Sequence, residues 1–500
     1  MLSLAHRFAF AAVALALAGC ATRPVNPPID RVDPDSGYRL STRQAHFKTP
    51  ETLVILAFSG GGTRAAAFSY GVLEFLRNTE VVLANGAQVR LLDAVGIITG
   101  MSGGSFTALA YGLYGDKLFA DYEQRFLKRD VQGELVARAL SPWNWTYLGS
   151  TGWGRSELAA ELYDEILFNG ATFADLHRSD GPYIFATATD ISTGARLVFS
   201  QDHFDVLCSD LAAVRLSRAA AASSAVPLVL SPVTMNNYGG RCGYQVPPLL
   251  KPFAESAHPP RPAARARREL DDTLAFGDGA HRPYLHLVDG GVADNVGMRS
   301  VLGLLDVLEI MQRAGVPTRL DRVRRIAVFV VNSVVVPSTR WDETESPPGS
   351  IELLVKATGV PIDRYSFEAI ELLKDKAARW DMLRRVAQSP AFDASKDAAL
   401  AADLKGPPID IFAIDVSFAA LRDEDRAEFE YLNNLPTSFV LPPEAVDRLR
   451  AAAGRIVMAS PEFRRLLDSV GARIVSAPAT AAPAPRPQAP KPLTPEGAPR

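Results

Sequence analysis

The hydrophobic positions of the chain switch between two periods. Thr52 to Phe58 is a short apolar run ended by glycines, and Ala65 to Arg77 carries apolar residues at helical spacing; Ala94 to Thr99 repeats the run, and Gly103 to Tyr114 the helix. Alternating strand and helix predicts a parallel sheet with helices on its faces. Further strands are predicted over Tyr183–Thr189, Arg196–Ser200, Leu285–Val288 and Arg325–Asn332, and helices over Leu211–Ala222 and Val296–Arg313. The last of these is apolar over most of its circumference and is expected to be buried. Beyond Pro337 the pattern predicts mostly helix from Ile351 to Gln388, a strand over Ile409–Val416 and a helix over Pro443–Met458.

The flanks follow other rules. Residues 1–20, "MLSLAHRFAFAAVALALAGC", have a basic start at His6 and Arg7 and an apolar run from Phe8 to Ala18. That run is too short to span a bilayer comfortably and has the form of a secretion signal. Leu17-Ala18-Gly19-Cys20 resembles the lipobox of bacterial lipoproteins, in which the Cys20 thiol is acylated; Ala21 in the next position, by the same resemblance, favours the outer membrane. Stable attachment needs more than one acyl chain, at about 0.8 kcal/mol per buried methylene. Residues 21–50 are Pro-rich and polar and are expected to be a tether. The core domain is expected over 51–337, a C-terminal extension packed on its sheet over 338–475, and a disordered Pro/Ala-rich tail over 476–500, which cannot bury enough apolar surface to offset chain entropy.

Composition narrows the class. With 47 % hydrophobic and 22 % charged residues the 500-residue chain is globular, and a net charge of −3 with scattered Lys and Arg argues against a nucleic-acid partner. Besides Cys20 there are two cysteines, Cys208 and Cys242. In an oxidising periplasm they form a candidate disulfide; two buried thiols are the other reading. No pair or cluster of His and Cys has metal-ligand spacing, so no metal or cofactor is expected. Trp143, Trp145 and Trp153 gather within eleven positions and fit either a lipid–water interface or the fold's own core. Arg261, Arg265, Arg267 and Arg268 lie in a stretch expected as a solvated basic loop.

Three short stretches carry chemistry. In "GIITGMSGGSFTALAYG" Ser102 sits at the centre of Gly100-x-Ser102-x-Gly104, between a predicted strand and a predicted helix, where a tight turn would project its hydroxyl. "ILAFSGGGTRAAAF" offers Gly60, Gly61 and Gly62 at a strand end, with backbone N–H groups and a helix N-terminus able to hold an oxyanion together with Gly103. Arg64 beside them can pair with a phosphate or brace the loop. "LHLVDGGVADNVG" ends a predicted strand at Asp289. Every histidine precedes Asp289, so it cannot be the acid of a triad running Ser, Asp, His, and the carboxylate itself is the candidate base.

In that order and spacing, "SGGGTRAAAFSYGVL", "GMSGGS" and "DGGVADN" resemble the patatin-like phospholipases, with "ATDISTGARLVFS" and "SRAAAASSAVPLVLSPV" similar to further family segments. The resemblance covers about residues 52–302. It implies a three-layer α/β/α fold with a mainly parallel sheet, and a serine lipid acyl hydrolase with Ser102 as nucleophile, Asp289 as base and Gly60, Gly61 and Gly62 as oxyanion loop. Ser59 and Ala65 depart from many plant members, which have Asp and Gly there, and are closer to the animal cytosolic phospholipase version. The implied substrate is a membrane (phospho)lipid and the implied setting a lipid-anchored, periplasm-facing protein of the bacterial outer membrane. Two other readings stay open: a Ser-His-Asp esterase, and an inactive lipid-binding lipoprotein of the same fold.

Overall fold

A computed structural model describes residues 23–477 apart from 149–152, 228, 249, 252–262, 314, 316–319, 336–340, 344, 346, 394, 397–400 and 402–408. The leader with Cys20, Arg261 and the tail from residue 478 lie outside the described residues. The central sheet is built from β1 (Thr52–Phe58), β2 (Val95–Gly100), β3 (Tyr183–Asp190), β4 (Arg196–Val198), β5 (Val233–Asn236), β6 (Tyr284–Asp289), β7 (Arg325–Asn332) and β8 (Asp410–Ser417). Its order is β8-β7-β1-β2-β3-β6-β5, with β4 also on β3. The helices that matter below are α1 (Gly62–Arg77), α2 (Gly103–Tyr114), α3 (Val131–Leu140), α4 (Pro142–Leu148), α5 (Leu216–Ser223), α6 (Met298–Arg313), α7 (Ser350–Ala387) and α8 (Pro443–Ala459). Together they make the expected α/β architecture: helices flanking a sheet with mainly parallel strands.

The uninterrupted apolar runs are the central strands. Ile55 to Phe58 of β1 and Ile326 to Val331 of β7 have helices on both sides and are almost wholly removed from water. The five strands from β8 to β3 are parallel. β3 then serves two partners in succession: Tyr183 to Ala186 pair with β2, and Ala188 to Asp190 pair with antiparallel β6. This split register matters for the site. Gly100 is level with Ala186 and Asp289 with Ala188, so β6 delivers its last residue beside the end of β2.

Three expectations change. Arg265, Arg267 and Arg268, expected in a solvated basic loop, lie in a helix over Ala263–Leu274, where Arg265 pairs with buried Asp306 at 2.7 Å. Residues 338–475 do more than pack on the sheet: β8 pairs with β7 along its whole length and forms the sheet edge. α8 lies so close to α1 that a Cβ on Gly71 would stand 2.5 Å from the Arg450 oxygen. The expected tether, residues 21–50, is from residue 23 onward a strap bound to the domain. Asn26 bonds the Ser209 hydroxyl and the Asn236 backbone at 2.8 and 2.9 Å. Tyr38 is buried between Phe173 and Tyr183, and buried Arg43 donates to the carbonyls of His177, Ser179 and Gly181. Polar composition concealed this, because the strap is held by hydrogen bonds and a few large side chains. Cys208 and Cys242 form a disulfide, and Ile29 of the strap donates to the Cys208 carbonyl at 2.9 Å. No described helix is long and apolar enough to cross a membrane.

Replacing Arg43 by Met leaves three buried carbonyls without their donor and should cost about 3 kcal/mol. The urea midpoint of unfolding is then expected to fall clearly; an unchanged midpoint would mean that the strap adds nothing to stability.

Candidate active site

Two strand-to-helix turns stand side by side at the C-terminal edge of the sheet. β1 leads through residues 59–61 into α1, β2 leads through Met101 and Ser102 into α2, and Phe58 is level with Gly100. The turns touch backbone to backbone. A Cβ on Gly103 would stand 2.0 Å from the Gly62 oxygen, and one on Gly104 2.6 Å from the Ser59 oxygen. Gly62, with φ of 61°, is pressed against Ser438, whose oxygen would be 2.3 Å from a Cβ there. The glycines of both motifs therefore bring two helix N-termini, with their unsatisfied N–H groups, to one point.

Ser102 has φ 47° and ψ −121°, a conformation that L residues rarely adopt and that costs of order 1–3 kcal/mol. The surroundings hold it there. Its N–H donates to the Ser223 hydroxyl of α5 at 3.0 Å, its carbonyl accepts from the Ser105 hydroxyl at 2.6 Å, and Met101 donates to the Phe58 carbonyl at 3.1 Å. α5 fixes the second loop as well, since Asp289 and Gly290 donate to the carbonyls of Ala225 and Ser223, both at 3.0 Å. One segment thus positions both candidate catalytic side chains.

The Asp289 carboxyl interacts with the Ser102 hydroxyl, which favours its ionised form. Burial pushes its carboxyl up to about 6, against the opposing pull of the Gly291 N–H, which donates to Oδ1 at 2.7 Å, and of Ser102. It is the acid expected from sequence, with basicity moved toward neutrality. The neighbouring acid of the motif, Asp294, faces elsewhere: it is buried beside Arg196 and accepts from the Arg299 N–H.

No hydrogen bond joins a histidine to Ser102 or Asp289 among the described residues. His286 bonds Thr234, His281 bonds Asp278, and His203 sits beside Arg196 and Glu269 with its ring held down to about 4, chiefly by burial. Nor do the described residues gather three or more His, Cys, Asp or Glu at which a metal ion could bind.

The loop glycines divide their work differently from the expectation. The Gly60 N–H donates to the Asn295 carbonyl at 2.8 Å, so it is spent inside the protein. What Gly60 supplies is room: a Cβ there would meet the Asn295 side-chain oxygen at 2.5 Å and Ser102 Cβ at 3.2 Å. Among the described residues, the N–H groups of Gly61, Gly62 and Gly103 bond no backbone carbonyl outside their own helices. Arg64, expected as an oxyanion or substrate-binding residue, is 3 % exposed and serves as a brace. It donates to the carbonyls of Ser333 and Leu435 at 2.9 and 2.6 Å and to the Thr437 hydroxyl at 3.1 Å, and burial alone pulls its guanidinium down to about 10.

Sequence reasoning missed Ser223, Asn295, Ser333 and the segment 435–438. Ser223 and Asn295 lie inside stretches whose family resemblance was visible. Ser333 bonds Ser59, hydroxyl to hydroxyl at 3.1 Å, and with residues 435–438 supports the glycine loop from more than 260 positions away, with no local pattern to mark it.

Fold and site are those of an α/β protein with a serine at a strand-to-helix turn beside a buried acid. Residues 56–302 match the family described as patatin-like phospholipase, and the chain carries a domain of that family. No curated protein matches the chain. Among solved structures it is similar to human GIVD cytosolic phospholipase A2, with 13 % identity and a TM-score of 0.36 over 94 % of this chain and 67 % of that one. The same human enzyme in complex with methyl gamma-linolenyl fluorophosphonate gives 13 % identity and a TM-score of 0.35 over 93 % and 64 %. Both likenesses are too distant to bear on mechanism.

If Arg64 is a brace and not a phosphate ligand, Arg64→Ala loosens the loop for every substrate. Activity on a phospholipid and on an uncharged ester should fall by the same factor, of order a hundredfold. A loss confined to the phospholipid would return Arg64 to substrate binding.

Proposed function

We propose that the protein cleaves fatty-acyl esters of membrane lipids through a Ser102–Asp289 dyad and an acyl-enzyme. The carrying observation is a serine in a strained backbone conformation whose hydroxyl interacts with a buried acid, Asp289, pushed up to about 6. Asp289 takes the hydroxyl proton as Ser102 attacks the ester carbonyl, and the N–H groups of Gly61, Gly62 and Gly103 hold the oxyanion. Each such donor is worth about 2.7–4 kcal/mol in comparable sites. Asp289 returns the proton to the leaving alcohol, then takes one from the water that attacks the acyl-enzyme and gives it to the Ser102 oxygen as the fatty acid departs. The reading extends to location: acylated at Cys20, the protein is attached to the outer membrane and faces the periplasm. The Cys208–Cys242 disulfide supports an oxidising compartment.

A fluorophosphonate probe should label the protein once, and Ser102→Ala should abolish the label. A folded wild-type chain that never labels would favour the lipid-binding lipoprotein.

In the free enzyme Asp289 must be ionised, so kcat/KM should rise with pH through about 6 and level off above. An ordinary histidine titrates nearby, at about 6.5, so the position of the limb does not separate the two bases. Temperature does: a carboxylate limb stays almost fixed on warming and survives substitution of His203, His258, His281 or His286, whereas an imidazole limb moves down and vanishes with its histidine. The second result would replace the dyad by a histidine mechanism.

Burial also makes a stability prediction. Because the folded-state pKa of Asp289 lies above its ordinary value, the folded chain holds the proton more tightly, and stability falls as pH rises from about 4 through about 6. Asp289→Asn removes that cost, so it should be inactive yet more stable than wild type at pH 8, by about 3 kcal/mol, with the gain gone near pH 4. A less stable Asn variant at pH 8 would contradict the strained, desolvated carboxylate.

A further inference from the structure

α7 carries an arm that stands above the active-site edge of the sheet. Its direction follows from two ion pairs with β8: Arg384 meets Asp410 at the start of the strand, and Lys374 meets Asp415 near its end. α7 therefore runs antiparallel to the parallel strands, with its N-terminus toward their C-terminal ends. The ladder gives the height. Val416 is level with Val331, Val331 with Phe58, and Phe58 with Gly100, two residues before Ser102. At 1.5 Å per residue, Leu353 is about 30 Å further along the axis than Lys374 and well beyond the plane of Ser102. Packing ends on the way: Ser366, Ala369, Ile370 and Leu373 are buried, Tyr365 meets Arg299, and residues 357–361 are all exposed. The short helix Gly291–Asp294, which follows Asp289, touches α7.

This arm is unsuited to water. Leu353, Leu354 and Val360 are exposed by 54, 48 and 46 %. Gly359 and Pro361 weaken the helix further, Pro by roughly 3 kcal/mol in a helix interior. An apolar medium would cover those side chains. The start of the described chain indicates which medium. Arg23 is fixed to Thr234 and lies over the Tyr284 ring. β6 descends to Asp289 from Tyr284, and Leu287 is already level with Asp190, the last residue of β3. Tyr284 and Arg23 are therefore also beyond the C-terminal edge of the sheet. Cys20 is three positions before Arg23, a reach of at most about 10 Å. Arg23, three positions after the candidate lipid attachment, and the apolar arm thus lie past the same edge, the one that bears Ser102. α4 adds Trp143 and Trp145, exposed by 85 and 59 %, whereas Trp153 is buried. Gln132 in the first turn of α3 bonds Ser438, the residue seated on Gly62.

We infer that residues 350–361 of α7 dip into the surface of the bilayer to which the chain is attached and hold the Ser102 edge of the sheet against it. The bilayer is the occupant because it is the partner that an acyl anchor beyond this edge brings within reach, and because the exposed Trp143 and Trp145 suit a headgroup layer. The inference rests on the proposed lipid substrate and anchor, but binding can be measured apart from hydrolysis. The complete chain carrying Cys20→Ser, to remove the acyl anchor, and Ser102→Ala, to stop turnover, is floated with vesicles of phosphatidylethanolamine and phosphatidylglycerol. It should float, and adding Leu353→Glu, Leu354→Glu and Val360→Glu should reduce the bound fraction more than about tenfold. With Ser102 intact, those three substitutions should leave hydrolysis of a soluble p-nitrophenyl ester within about twofold. If the triple variant does not turn over that ester, Leu353→Glu alone takes its place. A chain that floats but hydrolyses neither ester nor lipid would end the proposed function and leave the arm's role standing. A parent that does not float, or arm variants that float equally well, would overturn the inference. So would substitutions that split a dimer in sedimentation without changing vesicle binding, which would make a second copy the occupant.

Discussion

The backbone contact between Gly62 and Gly103 is the constraint from which the site follows. Two helices cannot bring their first turns this close if either turn carries a side chain, and a Cβ on Gly103 would overlap the Gly62 oxygen outright. The contact concentrates unsatisfied N–H groups and the positive ends of two helices in one small volume. It also forces the chain between β2 and α2 through the tight turn that gives Ser102 its positive φ. Nucleophile geometry and the proposed oxyanion donors are thus two results of one packing decision, held from outside by Arg64, Ser333 and residues 435–438.

The acid reaches this point by register. β3 gives its first half to the parallel sheet and its second half to β6, so Asp289 ends beside the serine turn. α5 then ties both loops together through Ser223 and Ala225. Burial that makes the carboxylate basic also makes it costly to ionise, and the fold bears that cost at neutral pH.

Most of this geometry was legible in the sequence because it is local. The strand Arg325–Asn332 and the helix Gly103–Tyr114 have the bounds that their periodicity predicts. The three motifs announce their turns through glycines whose necessity is steric. What stayed hidden is nonlocal or carried by polar atoms. β5 is four residues long and has no run to mark it. The strap around Tyr38 and Arg43 read as a tether because hydrogen bonds to carbonyls leave no periodic trace. The division of labour in the glycine loop was also unreadable. That Gly60 donates inward and Arg64 is wholly engaged depends on Asn295, Ser333 and Leu435, brought in from remote parts of the chain.

The central claim is that Ser102 reacts under the N–H groups of the paired glycine turns. A crystal structure of the phosphonylated protein tests this directly. The account predicts phosphorus bonded to the Ser102 oxygen, with the phosphoryl oxygen about 2.7–3.1 Å from N–H groups among Gly61, Gly62 and Gly103, and Asp289 adjacent. A label on another residue, or a phosphoryl oxygen turned away from those groups toward solvent, would contradict it.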